Sequence, residues 1–342
     1  MLNNNFSIDV IPQKVASGIS RVRLQEYQSR KWGLLGIDTG IHPLNMAIGG
    51  LLPGCVTTLG GLPSHGKTAT MTPLLEASFR YTDKKPEFLV FTWEMEASRL
   101  TDRLISMKTG LSSTQLMLGA KLLTDSDNEN IEKAIEQINQ IPVYYQQHSL
   151  NSEKLVTLFE EFVDACNEAT KEDGIERQPI GIIDYVGLAD LTSTGNGLRT
   201  NAIGDMYRDL KQCANRTGGH WLIYAQLDKS ARGSLGYPVL DNLAESQNIE
   251  RSSDNIILIY RAEQDGKATI MDPSTGEEQN SQGKMLFRVV KCRLFGISDF
   301  VAGCDISRNK FWDIDYGPDV EYWKYYEQED FWRAMLNRKI NG

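Results

Sequence analysis

The chain has 342 residues, 41% of them hydrophobic and 24% charged, with a formal net charge of −9. That length suits one large α/β domain with appendages, or two domains. The charge argues against a broadly basic surface for gripping nucleic acid, although not against a ring whose small inner loops are positive. No apolar run approaches the ~18 residues needed to cross a membrane. The N-terminus MLNNNFSIDVIPQK lacks the basic-then-apolar order of a secretory signal, so the expected location is the cytoplasm. Five cysteines (Cys55, Cys166, Cys213, Cys292, Cys304) form no C-x-x-C and no Cys/His cluster, which predicts buried free thiols rather than zinc or disulfides.

In chain order, residues 19–32 (ISRVRLQEYQSRKW) predict a short polar helix with scattered apolar positions at Ile19, Val22, Leu24, Tyr27 and Trp32. Gly and Pro then punctuate GLLGIDTGIHPLNMAIGGLLPG. From Cys55 short apolar runs alternate with helices. CVTTL precedes a glycine-containing loop and TATMTPLLEASFRY; FLVFTW precedes EMEASRLTDRLISM; IPVYYQ precedes a helix near 152–170. IGIID leads to a helix around 203–216, HWLIYAQL to a loop and the segment 241–252, and NIILIYR and MLFRVVKCR follow. This alternation predicts an α/β fold with a mostly parallel central sheet flanked by helices. The polar stretch AEQDGKATIMDPSTGEEQNSQG predicts an exposed loop or hairpin. From Phe311 to Trp332 aromatics alternate with Asp and Glu; these rings either pack back on the body or dock a partner.

The stretch Gly61-Leu-Pro-Ser-His-Gly66-Lys67-Thr68 fits the phosphate-loop pattern G-x-x-x-x-G-K-[ST], with a strand before it and a helix after it. Phosphate oxygens need several donors converging from one side, which loop amides and a helix N-terminus supply. Gly66 lets the backbone come close, Lys67 reaches the terminal phosphates, and the Thr68 hydroxyl ligates Mg²⁺; ATP with Mg²⁺ is the expected cofactor. Gly61, Pro63, Ser64, His65 and Ala69 complete the cofactor-binding stretch, with His65 read as the filler of a variable position rather than a catalyst.

In a parallel sheet, side chains at the carboxyl strand ends gather at the ligand crevice. FLVFTW is followed by Glu94, a carboxylate able to orient and deprotonate a water. IGIID ends in Asp184, placed to hold the metal shell opposite Thr68. LIYAQ ends in Gln226, an amide able to sense the γ-phosphate. Each alone also reads as a polar strand terminus; together, after one phosphate loop, they predict a hydrolase site. Lys291 and Arg293, two apart on one strand, leave the same face. They either share an anion, completing the site of an adjacent subunit, or form a solvated basic strand end.

In this order, GGLLPGCVTTLGGLPSHGKT, FTWEM, IGIIDYVGL, IYAQLDK, LAESQNIERSSDNIILIYR and VVKCRLFG resemble the ATPase domain of DnaB-type replicative helicases, from about residue 36 to 300. The resemblance implies a RecA-like P-loop core, a homo-hexameric ring on single-stranded DNA, and ATP hydrolysis. It assigns Glu94 as base, Asp184 as metal carboxylate, Gln226 as sensor, and Lys291 with Arg293 as a pair acting on a neighbour's nucleotide. It also places Arg103 against the nucleotide base and counts Ser246, Ile249, Glu250, Asp254, Tyr260 and Arg261 as diagnostic, with Arg261 at the cofactor.

Residues 1–35 then read as an arm and linker helix docking on the next protomer, 36–305 as the motor, and 306–342 as an acidic aromatic tail that docks a primase, loader or other replication protein. The family's N-terminal helical domain is not expected, since almost nothing precedes the linker, and the short form resembles phage or mobile-element proteins. Where the family's DNA loop reads L-R-E-S-G, this chain has Leu243-Ala244-Glu245-Ser246-Gln247. Lys229 and Arg232 are therefore expected to contribute to the DNA grip beside Glu245 and Ser246. A RecA-like recombination filament, or a regulatory ATPase that unwinds nothing, stays open as the alternative.

Overall fold

The computed structural model describes residues 13–29, 33–80, 84–119, 122–190, 199–232, 237–243, 246–272, 275–326 and 328–333. In chain order the elements are α1 (Gln13–Ser29), α2 (His42–Ile48), β1 (Val56–Gly61), α3 (Met71–Glu76), β2 (Lys85–Thr92) and α4 (Ala97–Thr109). Next come α5 (Ser113–Leu118), α6 (Asp125–Ile138), β3 (Val143–Gln146), α7 (Ser152–Asp173), β4 (Arg177–Asp184), α8 (Arg199–Thr217) and β5 (His220–Gln226). The chain continues through α9 (Ser246–Ser252), β6 (Asn255–Tyr260), β7 (Thr269–Asp272), β8 (Glu277–Asn280), β9 (Lys284–Cys292), β10 (Ser298–Asp305) and β11 (Lys310–Asp313). Leu34–Val320 form one compact unit; α1 and the described residues from Glu321 onward belong to a second.

The main sheet has nine strands in the order β11-β10-β9-β6-β1-β5-β4-β2-β3. Strands β6, β1, β5, β4, β2 and β3 run parallel, and β9, β10 and β11 add an antiparallel meander. Burial on both faces explains why β1 and β6 have no exposed residue and why the parallel strands read as apolar runs. One face packs on α7 and α8 through Phe159, Tyr207, Leu210 and Trp221; the other packs on α2, α3 and α4 through Leu44, Leu74, Leu104 and Tyr224. The mostly parallel α/β core expected from the alternation is therefore present.

The differences lie at the margins. The sheet takes in β11, which lies past residue 305, and Phe311 on it meets edge-on the Phe287 ring on which Phe300 of β10 stacks at 5.0 Å. Two helices, α5 and α6, lie in a stretch whose polar composition hid them; capping boxes start them at Ser112 and Thr124. The polar stretch after β6 is a hairpin, with β7 paired to β8. The first helix begins at Gln13 rather than at residue 19, and residues 30–32 lie outside the described ones. All five cysteines are free thiols, and no helix among the described residues is long and apolar enough to cross a membrane.

Two buried histidines set a pH limit on this core. His220 opens β5 fully buried, its Nδ1 2.7 Å from the Leu52 carbonyl, so Nδ1 carries the ring proton. Burial pushes its pKa down to about 4, and does the same for His42. Folded values below the ordinary 6.5 mean that the neutral rings contribute stability above pH 6.5, lost as pH falls toward 4. Urea denaturation at pH 5 should therefore show a loss of roughly 2 kcal/mol per histidine relative to pH 7. His220→Gln should remove its share of that pH dependence.

Candidate functional site

Because β1, β2, β4, β5 and β6 run parallel, their carboxyl ends share one edge. The register sets Gly61 beside Gln226 and Ile259, and Thr92 beside Asp184. The loop after β1 needs glycine twice. At Gly66 φ is +95°, a conformation that side chains disfavour. At Gly61 an added Cβ would come within 2.9 Å of the Lys67 stem, so glycine lets that stem lie along the strand end. Lys67 Nζ donates to the carbonyls of Gly61 (2.9 Å) and Leu62 (3.1 Å). Burial pulls its pKa down, while Asp184 and Glu94 pull it back up. The expected helix after the loop begins as a 3-10 turn at Thr68–Thr70 before α3. Pro73, with no N–H, cannot give its share of the α-helical ladder there.

Thr68 closes the loop by donating its hydroxyl to Asp184 Oδ2 at 2.9 Å. Asp184 is buried at the end of β4, and burial raises its pKa to about 6. The Thr68 hydrogen bond, Lys67 and Arg103 oppose that rise, and Glu94 adds to it. Asp184 Oδ1 has no hydrogen-bond partner among the described residues. A divalent cation fits this pair: it would meet the unpartnered oxygen, and a hydroxyl and a carboxylate are the donor types that hard cations take. Among the described residues no group of three or more His, Cys, Asp or Glu could hold a metal, so such a cation would rest mainly on phosphate and water oxygens. Glu94 and Gln226 stand exposed at the same edge, Glu94 close enough to Lys67 and Asp184 to affect both.

Arg103 on α4 is half-buried and donates through Nη1 to Asn309 Oδ1 at 3.2 Å. Asn309 is wholly buried with φ +53° and was not singled out from the sequence; an Asn in a short polar turn, which tolerates that conformation, was its one signal. Pro63 and Ser64 are exposed and Ala69 is buried. His65 is buried as well, and its Nδ1 accepts the Arg261 N–H at 3.1 Å, while the Arg261 guanidinium pairs with Glu263. The His65 ring thus engages the residue that follows β6.

Lys291 and Arg293 stand at the opposite end of the sheet. Lys291 pairs with Ile256, itself level with Thr58, and the Arg293 amide donates to Asp254, whose own amide donates to Val56. Arg293 therefore lies about 16 Å down the strand from Gly61. A bulge separates Ile256 from Ile257, and β9 ends at Cys292, so Arg293 is past the strand rather than on it. Lys291 Nζ donates to the Glu250 carbonyl, and Arg293 donates to the Arg251 carbonyl at 3.1 Å and pairs with Asp254 at 3.2 Å. Lys211, also unforeseen from the sequence, holds the other Asp254 oxygen at 2.7 Å. Lys229 is exposed in the turn after β5. Glu245 and the side chains of Arg232 and Ser246 lie outside the described residues.

Residues 36–293 match the model of the DnaB-like helicase C-terminal domain. The Replicative DNA helicase DnaB of Buchnera aphidicola subsp. Baizongia pistaciae (strain Bp) is 27% identical over 236 residues, 68% of this chain and 48% of that protein. The chain spans about half the length of the curated relatives it matches. A structure of the ATPase domain of G40P superposes with a TM-score of 0.74 at 18% identity, covering 89% of this chain and all of that one. A DnaB-like replicative helicase, described with its interactions with primase, gives 0.69 at 18% identity, over 89% of this chain and 67% of that one. The fold is accordingly a RecA-like P-loop core, and the chain belongs to the DnaB-like helicase C-terminal domain family.

Proposed function

We propose that the chain is an ATP-hydrolysing replicative helicase motor of the DnaB type, working in the cytoplasm as a homo-hexameric ring on single-stranded DNA. The observation that carries this reading is the position of Lys291 and Arg293. They sit farther from their own phosphate loop than a side chain spans, and Asp254, the carboxylate that pairs with Arg293, is shared with Lys211, which leaves these cations in excess. An adjacent copy brings its nucleotide to them.

Within one chain, Lys67 and the amides of the loop Gly61–Ala69 hold the polyphosphate. Thr68 and Asp184 hold Mg²⁺, which when bound neutralises phosphate charge. Glu94 orients the attacking water and takes its proton, Gln226 reads the γ-phosphate, and Arg103, steadied by Asn309, lies against the base. Arg261 backs the loop from β6. Lys229 and Arg232, with Glu245 and Ser246, follow the DNA backbone from the loops beyond β5. Helix α1, polar with Ile19, Val22 and Leu24 exposed, docks on the next protomer. The tail offers a primase or loader a surface that includes the exposed rings of Trp323 and Tyr325.

Three measurements check this. Arg293→Ala should lower DNA-stimulated kcat for ATP hydrolysis by about 10³-fold with little change in nucleotide affinity; full turnover in the variant would remove the trans role. Asp184→Asn, which keeps the size and removes the charge, should cost about 10²-fold in Mg²⁺-dependent hydrolysis. Truncation after Val320, which spares β11, should leave ATP turnover and ring assembly intact while abolishing partner binding; retained binding would show that the tail is not the docking element.

A further inference from the structure

The phosphate-loop pattern leaves the residue before Gly66 unspecified, yet His65 at that position is wholly enclosed. Its Nδ1 accepts the Arg261 amide proton at 3.1 Å, which places the proton of the neutral ring on Nε2. Nε2 faces Asp265 Oδ1 at 3.7 Å, a contact longer than a hydrogen bond but close enough for attraction. The ring stacks on Tyr260 with centroids 5.3 Å apart, and the Tyr260 hydroxyl donates to Asp265 Oδ2 at 3.1 Å. One loop side chain is thus held by the end of β6 and by the turn that follows it.

The backbone around His65 makes that anchorage consequential. Ser64 has φ +64° and Gly66 φ +95°, so the chain is left-handed on both sides of the histidine. Ser64 is not glycine, and such a conformation persists only where the surroundings hold it. The anchorage runs on into the root of the β7–β8 hairpin. Arg261 pairs with Glu263, whose other oxygen accepts the Gly283 amide at 3.0 Å, and Ser281 donates to the Lys267 carbonyl at 2.6 Å.

Building on the nucleotide-site reading above, we infer that His65 is a positioning residue. Through Arg261 N–H and Asp265 it sets the path of Ser64–Lys67 on which the loop amides converge, and so governs nucleotide affinity rather than the chemical step. Asp265, at the hairpin root, thereby influences a nucleotide it does not touch.

The test uses the full chain, a fluorescent ATP analogue with Mg²⁺ for affinity, and steady-state hydrolysis for kcat at saturating ATP. His65→Leu keeps bulk and loses the acceptor; it should raise Kd by about tenfold or more with kcat within about threefold of wild type. His65→Asn retains an oxygen acceptor near the place of Nδ1 and should recover Kd to within about threefold of wild type. Asp265→Asn should fall between the two. Wild-type affinity in His65→Leu, or an Asn variant no better than Leu, overturns the inference. Should the Leu variant not fold, Asp265→Asn with unchanged Kd does so. Lys67→Ala separates the two readings. If nucleotide binding survives it, the site itself is misplaced. If binding depends on Lys67 but is indifferent to His65 and Asp265, only the positioning role falls.

Discussion

A hydrogen bond between Thr68 and Asp184 joins residues 116 positions apart, and the arrangement at the strand ends depends on it. Asp184 is buried, so its charge is costly and its pKa climbs to about 6. Thr68 and Lys67 from the loop after β1, and Arg103 from α4, offset that cost. Each reaches Asp184 because of the strand order. β1 lies between β6 and β5, with β4 one strand further on, so the loop leaving β1 crosses the end of β5 toward β4. A carboxylate kept this dry, with one oxygen unsatisfied, is a poor structural element and a good seat for a cation.

The same sheet separates two kinds of positive charge. Lys67 is buried at the carboxyl edge, bonded to carbonyls of its own loop. Lys291 and Arg293 are tied to carbonyls at the end of α9 and to Asp254 at the far edge. Asp254 also accepts the Val56 amide and the Lys211 ammonium, so it fixes the start of β1 and the position of Arg293 together. The distance between loop and cation pair is set by the length of the strands rather than by any flexible linker.

What could be read from the sequence follows the range of the forces involved. The placement of the phosphate loop, Glu94, Asp184 and Gln226 was legible because a buried parallel strand writes itself as a local apolar run, and the residues at or just past its end land at the same edge whatever surrounds them. The pair Lys291 and Arg293 was half legible. Their spacing put both on one face, but the bulge between Ile256 and Ile257 and the end of β9 at Cys292 depend on the partner strand. The contacts of His65 with Arg261 and of Arg103 with Asn309 bridge 196 and 206 positions, and no local pattern carries them. The strand β11 was hidden for another reason. Its aromatic and acidic composition reads as a tail until Phe287 is placed beside Phe311.

On the proposed reading, the far-edge cations also couple assembly to nucleotide. Burial, and then the neighbouring Arg293, hold the Lys291 pKa below its ordinary value, so the protonated lysine is under strain. The Glu250 and Arg251 carbonyls and the Asp254 carboxylate relieve that strain in part. A triphosphate carried by an adjacent copy relieves more of it, and gains most where the seam excludes water. Linkage then requires reciprocity: if the seam strengthens nucleotide binding, nucleotide strengthens the seam by the same factor. A chain with a net charge of −9 repels its own copies at long range, so that local attraction between cations and phosphate has to outweigh a general repulsion. Ring closure would then be most favourable when the sites between subunits are filled.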